Sequence, residues 1–153
     1  MRRPIALLAV LALTAAALTG LTAIASSATS RPATVKTATS SLGRIILDGK
    51  SRTLYPFEKD QHGKSACSGA CAANWPPLLT KGAPKAAASA RASLLGTIRR
   101  SDGTTQVTYN NHPLYTVVGD AGRRGATSGE GVDAFGTRWY VVAAKGTAKT
   151  GSY

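Results

Sequence analysis

The densest group of reactive side chains in the sequence is Cys67, Cys71 and His62, around the stretch "ACSGACAANWPP". Two sulfur ligands and an imidazole within ten residues could take copper or zinc. The Cys-x3-Cys spacing differs from the Cys-x-x-Cys of thioredoxin-type centres, and no histidine follows as in covalent haem attachment. A redox or metal-handling role for the two cysteines is therefore one hypothesis, and a disulfide is the other.

A second candidate group occurs twice, in "TLYPFEKD" and "PLYTVVGD". Each copy places an aspartate five residues after a tyrosine, giving Tyr55 with Asp60 and Tyr115 with Asp120. An aspartate near a tyrosine hydroxyl could contact a sugar or a cation. At the end of a strand, an aspartate can instead accept backbone N–H groups of the following loop. We favour this structural interpretation.

Residues for hydrolytic catalysis are few. Asp120, Glu130 and Asp133 could form a carboxylate group on the Gly-rich loop 119–136. Asp60 is close to His62, but no serine in a Gly-x-Ser-x-Gly elbow accompanies them. We predict no enzyme activity, no catalytic residue, no metal site and no cofactor; a hydrolase is the third hypothesis.

The N-terminus carries the features of a secretory signal. "MRR" is followed by an uncharged apolar stretch and by the small residues of "AIASSA", with cleavage expected after Ala25. The apolar stretch is nearly long enough to span a bilayer, so an uncleaved anchor is the alternative. Export places the cysteines in an oxidising compartment, where a Cys67–Cys71 disulfide is the simplest expectation.

The chain is strongly basic, with a formal net charge of +12. Removal of residues 1–25 takes away two of the 19 basic residues and none of the 7 acidic ones, which leaves +10. Such a chain is attracted to anionic cell-wall polymers or anionic lipid headgroups. The basic residues are scattered along the sequence, so no strip indicates specific nucleic-acid recognition. No small-molecule ligand is identified.

Short apolar runs broken by turn formers predict antiparallel β-structure. Strands are expected near 43–47, 53–58, 96–100, 105–109, 113–118 and 138–143. Asp-Gly and Asn-Asn accept the positive φ that tight hairpin turns require. Two stretches poor in large apolar side chains, 26–41 and 83–93, are expected to be a flexible spacer and a linker.

The similarity between the two halves extends beyond the Tyr–Asp pairs. "WPPLLTKG" corresponds to "WYVVAAKG", and "LGRI" at 42–45 corresponds to "LGTI" at 95–98. We predict repeat 1 over 42–82 and repeat 2 over 94–146, with a loose tail over 147–153. One hairpin unit cannot bury both of its faces, so the two repeats should share one small core. The expected core residues are Leu54, Phe57, Trp75, Leu78, Leu114, Val117, Trp139 and Val141.

These motifs resemble a family of secreted repeats that is named for a Y-x4-D motif, is often borne by lipoproteins and has no established function. Tyr55, Phe57 and Asp60 match its fuller pattern, and "CSGACAANWPPL" and "GVDAFGTRWYVV" are similar to its cysteine loop and closing strand. The second copy has Val117 at the position where the family prefers an aromatic residue. No cysteine lies near the signal segment, so the lipid anchor of the family is not expected.

The sequence therefore predicts an all-β or β-rich fold of two homologous antiparallel hairpin repeats with a short disulfide loop. Trp75 and Trp139 are the expected core anchors. The predicted role is that of an exported, non-enzymatic binding or structural module, secreted or at the outer face of the cytoplasmic membrane or cell wall of a bacterium.

Overall fold

Two antiparallel hairpins form the framework of the protein. The computed structural model describes residues 31–61 and 63–148; the signal segment 1–25 and His62 lie outside these ranges. The strands are β1 (Thr34–Ser40), β2 (Gly43–Asp48), β3 (Lys85–Ala87), β4 (Leu95–Arg99), β5 (Thr105–Tyr109), β6 (His112–Pro113), β7 (Asp133–Ala134) and β8 (Thr137–Arg138). A short helix, α1 (Ala70–Asn74), and two 3₁₀ turns, Ala92–Leu94 and Val118–Asp120, complete the elements.

The β1–β2 hairpin corresponds in position to the β4–β5 hairpin. β1 pairs with β2, and β4 with β5, in antiparallel register. β5 continues into β6 through Asn110 and Asn111, which have φ of 50° and 63°. These positive φ values match the turn conformation expected of the Asn-Asn pair.

The prediction of a flexible spacer over 26–41 is wrong for 34–40, which form β1. The stretch contains Val35 and three threonines, and such β-branched residues suit a strand even where no large side chain is present. Val35 is fully buried, and residues 35–40 pair with β2. The hairpins therefore begin at β1 and β4, so "LGRI" lies on the second strand of its hairpin while "LGTI" lies on the first. The proposed equivalence of these two stretches is also wrong.

The linker and the tail are more ordered than expected. β3, within the predicted linker 83–93, pairs parallel with β1, so the structure is not exclusively antiparallel. Of the predicted tail, Thr147 accepts a hydrogen bond from the Ala143 N–H at 2.8 Å, and Ala148 forms a bridge with Val142. Backbone pairing, which needs no large side chain, orders both segments.

The two repeats exchange their final segments. Leu78, at the end of repeat 1, donates its N–H to Leu114 and accepts one from Val107, both in repeat 2, at 2.8 and 2.9 Å. In the same way, Val142 at the end of repeat 2 lies between Leu54 and Ile46 of repeat 1, with both bonds at 3.0 Å. Each sheet is therefore completed by the other repeat. The expected strands 53–58 and 138–143 form isolated bridges instead of long ladders.

Core residues lie on both faces of the extended segment 53–57. Adjacent residues on an extended strand face opposite sides, so Leu54 packs in one cluster and Tyr55 in the other. Both clusters contain residues of both repeats, so the core is shared but divided into two parts. All the expected core residues are buried except Val117, which is half-buried at the edge of the first cluster.

Candidate functional site

The tyrosines of the two repeated motifs meet where the repeats face each other. The Tyr55 N–H donates to the Tyr115 carbonyl, and the Tyr115 N–H donates to the Tyr55 carbonyl, both at 2.9 Å. This reciprocal pair places an approximate two-fold axis between the residues. Both side chains are fully buried.

Each tyrosine hydroxyl bonds the aspartate of the other repeat. Tyr55 donates to Asp120 Oδ2 at 3.0 Å, and Tyr115 donates to Asp60 Oδ2 at 2.7 Å. The tyrosine and aspartate that lie five residues apart in the sequence are therefore not partners. The motif connects the repeats to each other.

The second carboxylate oxygen of each aspartate binds the loop that follows it. Asp120 Oδ1 accepts the N–H and the hydroxyl of Ser128, at 3.0 and 2.6 Å. Asp60 Oδ1 accepts the Ala66 N–H at 2.7 Å. Each aspartate thus closes its own loop with one oxygen and binds the other repeat with the second.

Burial keeps both phenols protonated. Burial raises the pKa of Tyr55 well above its ordinary range, and the negative charge of Asp120 raises it further. Burial and the Asp60 charge act in the same way on the pKa of Tyr115. Burial also raises the pKa of the Asp60 carboxyl, opposed by hydrogen bonds from Ala66 and Tyr115. Both tyrosines are therefore neutral hydrogen-bond donors at ordinary pH.

A stack of aromatic rings lies beside the tyrosine pairs. The Trp75 and Trp139 rings stack with centroids 3.9 Å apart, and Phe57 stacks on Trp139 at 4.4 Å. Tyr55 meets Trp75 edge-on, and Tyr115 meets Trp139 edge-on. The stack therefore joins rings from both repeats, as the tyrosine–aspartate bonds do.

Gly129 closes the aromatic group from the loop side. Its N–H donates to the Tyr55 hydroxyl at 3.3 Å. A Cβ at this position would lie 2.7 Å from Tyr55 Cε1 and 2.8 Å from the Trp75 ring. Only glycine allows the backbone to approach the rings this closely.

The structure extends the Tyr115 side of the site to Arg100, which sequence reasoning missed. Arg100 is only 8% exposed, and its Nη1 donates to Ser65 Oγ and to Gln106 Oε1, both at 2.7 Å. Ser65 Oγ lies 2.7 Å from the Tyr115 hydroxyl. Strand alternation could have found this residue, because buried Ile98 lies two positions before it on the same side.

The cysteines form the expected disulfide. Cys67, which precedes α1, is bonded to Cys71 in the first turn of α1, and both residues are buried in the aromatic cluster. Arg100 Nη2 donates to the Cys67 carbonyl at 2.7 Å. The disulfide therefore shapes the loop that supports Trp75 and contacts the Tyr115 network.

We expect the purified exported protein to show no free thiol. Intact mass should be two hydrogens below the reduced value, and alkylation without reductant should label neither Cys67 nor Cys71, because neither sulfur is a free thiol. Alkylation after reduction in denaturant is the control and should label both. Free thiols with stoichiometric metal on the native protein would instead support the redox or metal-handling hypothesis.

The carboxylates of loop 119–136 have separate partners. Asp120 binds Tyr55 and Ser128, Glu130 Oε2 accepts the Val141 N–H at 2.6 Å, and Asp133 is exposed on β7. Within residues 31–61 and 63–148, no group of three or more His, Cys, Asp or Glu side chains is placed to hold a metal ion.

Double-mutant cycles can test the reciprocal pairing. Tyr55→Phe and Asp120→Asn should each lower the free energy of unfolding by about 1–3 kcal/mol, because each leaves a buried polar group without its partner. The double variant should lose about 1 kcal/mol less than the sum of the two. Urea unfolding measures all three values.

The matched control pairs Tyr55→Phe with Asp60→Asn, which belong to the same motif but are not bonded. Their effects should add to within about 0.5 kcal/mol. Strong coupling within the motif, together with additivity of Tyr55 and Asp120, would contradict the reciprocal arrangement.

The fold and the site define a class of protein: a β-rich module built from two interlocked repeats whose motif residues bind each other. The family described as a secreted repeat of unknown function matches residues 36–79 and 96–143, and the chain belongs to this family. The two matched segments correspond to the two repeats of the structure. Neither a curated protein nor a solved structure matches the chain. Among the described residues, no helix has the length and apolar character needed to cross a membrane.

Proposed function

We propose that this protein is an exported, non-enzymatic module that adheres to anionic polymers of a bacterial cell envelope through its surface charge. Membership of a secreted-repeat family supports the extracellular location. The observation that carries the proposal is the difference between where the basic and the acidic side chains lie.

The fold leaves most basic side chains exposed and holds most acidic side chains in buried or half-buried positions. Of the 16 Lys and Arg residues in the described ranges, all are exposed except Lys36, Arg52 and Arg100. Four of the seven acidic residues are buried or half-buried, namely Asp48, Asp60, Asp120 and Glu130. Basic residues are therefore a larger fraction of the charged side chains at the surface than of those in the described ranges as a whole. Such a surface attracts polyanions over a distance set by the ionic strength.

The motif residues support a structural role for the site. Tyr55, Tyr115, Asp60 and Asp120 direct their hydrogen bonds to one another and to their own loops. Phenols held neutral inside the protein are poorly placed as nucleophiles or general bases. Metal ligation by the cysteines would require free thiols, whereas both sulfurs are in the disulfide. Cycling of this disulfide would require a reductant to reach it inside the aromatic cluster, where both cysteines are buried. These observations favour adhesion over the redox and hydrolase hypotheses.

Salt titration of binding to purified anionic wall polymer tests the proposal. Binding should weaken steeply as salt rises, because screening shortens the field to about 8 Å at physiological ionic strength. Arg123→Gln with Arg124→Gln should weaken binding without abolishing it, since each solvated contact contributes little. Tyr115→Phe, which keeps the ring and removes only a buried hydroxyl, is the control and should bind like the wild type. Binding that resists high salt and depends on Tyr115 would sink the proposal.

A further inference from the structure

Two adjoining cavities form a groove on the surface beside β1 and β5. The first has a volume of about 570 Å³ and the second about 540 Å³. Arg31 and Leu79 line both cavities, so the two adjoin at these residues. We call them together the basic groove.

Positive charge dominates the walls of the basic groove. Arg31, Lys81 and Arg99 line the first cavity, with no carboxylate among its described lining residues. Lys50 and Arg52 line the second cavity. All of these except Arg52 are exposed.

The carboxylates nearest to the groove are already engaged. Asp48 lines the second cavity, but it is buried and forms an ion pair with Arg52 at 2.7 Å. Asp102, the residue before Gly103 of the first cavity, forms an ion pair with Arg100 at 3.5 Å and accepts two hydrogen bonds from Thr104, at 2.9 and 2.6 Å. The cations of the first cavity therefore face the groove without a neutralising acid on its wall.

The lining of the groove also contains apolar side chains. Leu79 is 45% exposed, one of three large hydrophobic side chains that are exposed among the described residues. Pro32 and Pro77 continue the apolar surface into the second cavity. A lining that combines cationic and apolar side chains suits a chain that alternates anionic groups with aliphatic links.

We propose that the basic groove binds an extended polyol-phosphate polymer, with Arg31, Lys81 and Arg99 contacting successive phosphodiesters and Leu79 contacting the polyol. This inference rests on the proposed polyanion binding and gives it a site. Guanidinium groups match the geometry of phosphate oxygens. A concave groove admits a slender chain, whereas a bilayer presents a flat surface of headgroups. None of the described lining residues is aromatic, so the groove has no platform on which nucleic-acid bases would stack.

The experiment compares two triple variants that remove the same charge. The groove triple combines Arg31→Gln, Lys81→Gln and Arg99→Gln. The control triple changes exposed residues that line neither cavity, and it combines Arg124→Gln, Arg138→Gln and Lys59→Gln. Affinity for poly(glycerol phosphate) is measured by calorimetry at physiological salt. The groove triple should lose roughly 30-fold or more, and the control triple roughly threefold, since its contacts are solvated and general. Leu79→Ser, with no charge change, should lose roughly threefold.

Equal losses of affinity in the two triple variants would show that the groove is not the binding site, but they would not contradict the proposed function. Failure of the wild type to bind any anionic polymer would instead overturn the proposed function. The groove could instead bind anionic vesicles, single-stranded DNA or polygalacturonate more tightly than poly(glycerol phosphate). That result would overturn the proposal of a polyol-phosphate ligand.

Amide shift mapping on the wild type does not depend on the folding of any variant. Addition of poly(glycerol phosphate) should shift amides of 79–82 and 99–105 most strongly. Shifts spread evenly over the basic surface would contradict the groove.

Discussion

Replacement of Trp139 by alanine should lower the free energy of unfolding by about 3–5 kcal/mol. Trp139 is fully buried and stacks on Trp75 and Phe57, with Tyr115 edge-on to its ring. The truncation removes a large apolar surface and leaves a cavity between rings of the two repeats. Because a domain has only about 5–15 kcal/mol of stability, the variant should be close to unfolding at physiological temperature. Urea unfolding followed by tryptophan fluorescence and circular dichroism measures the change.

Tyr140→Ala is the matched control, because Tyr140 is the next residue and is also aromatic. It is half-buried and belongs to neither core cluster. We expect it to cost roughly 1 kcal/mol or less. Equal losses at the two positions would show that the aromatic stack is not the feature that joins the repeats.

Alkaline conditions should destabilise the protein steeply through Tyr55 and Tyr115. Burial raises the pKa of both phenols in the folded state, whereas in the unfolded chain they ionise near pH 10. Above that pH the folded state holds two more protons than the unfolded state, so its stability falls as the pH rises. Each retained proton contributes about 1.4 kcal/mol per pH unit, and the two together about 2.7 kcal/mol. Their contribution is fully present below about pH 10.

Urea unfolding at a series of alkaline pH values measures this slope. Tyr55→Phe and Tyr115→Phe should each reduce the tyrosine-dependent slope by about half, because each removes one of the two groups. Phenolate absorbance of these two residues should increase only together with the loss of circular dichroism. Ionisation of both tyrosines while the protein remains folded would contradict the buried, neutral state of the phenols.

Several features of this protein could be predicted from the sequence because they are local. The Asn-Asn turn forms as expected because positive φ is a property of the residues themselves. A short Cys-x3-Cys loop in an exported chain has few outcomes, and the disulfide is formed. Burial of Trp75, Trp139 and most other expected core residues followed from their size and from the alternation along strands. The repetition itself identified the family.

β1 was missed because its side chains carry little hydrophobic signal. Its threonines are compatible with a strand, but Thr and Ala contribute little to a hydrophobic pattern, and backbone pairing leaves almost no trace in composition. The same holds for β3. Arg100 was missed because an arginine next to Arg99 suggests surface charge, although alternation from buried Ile98 places it on the buried side.

The sequence by itself determined that the tyrosine–aspartate motif occurs twice, as Tyr55 with Asp60 and as Tyr115 with Asp120, because both copies have the same five-residue spacing. Only the tertiary structure decided which tyrosine binds which aspartate. The five-residue spacing suggested partners within a motif, but the backbone pairing of Tyr55 with Tyr115 brings each tyrosine to the aspartate of the other repeat. The two tyrosine–aspartate bonds join residues 65 and 55 positions apart, and local propensity cannot specify contacts of that range. A buried hydroxyl must find an acceptor, and the strand pairing of the whole fold determines which one lies within reach.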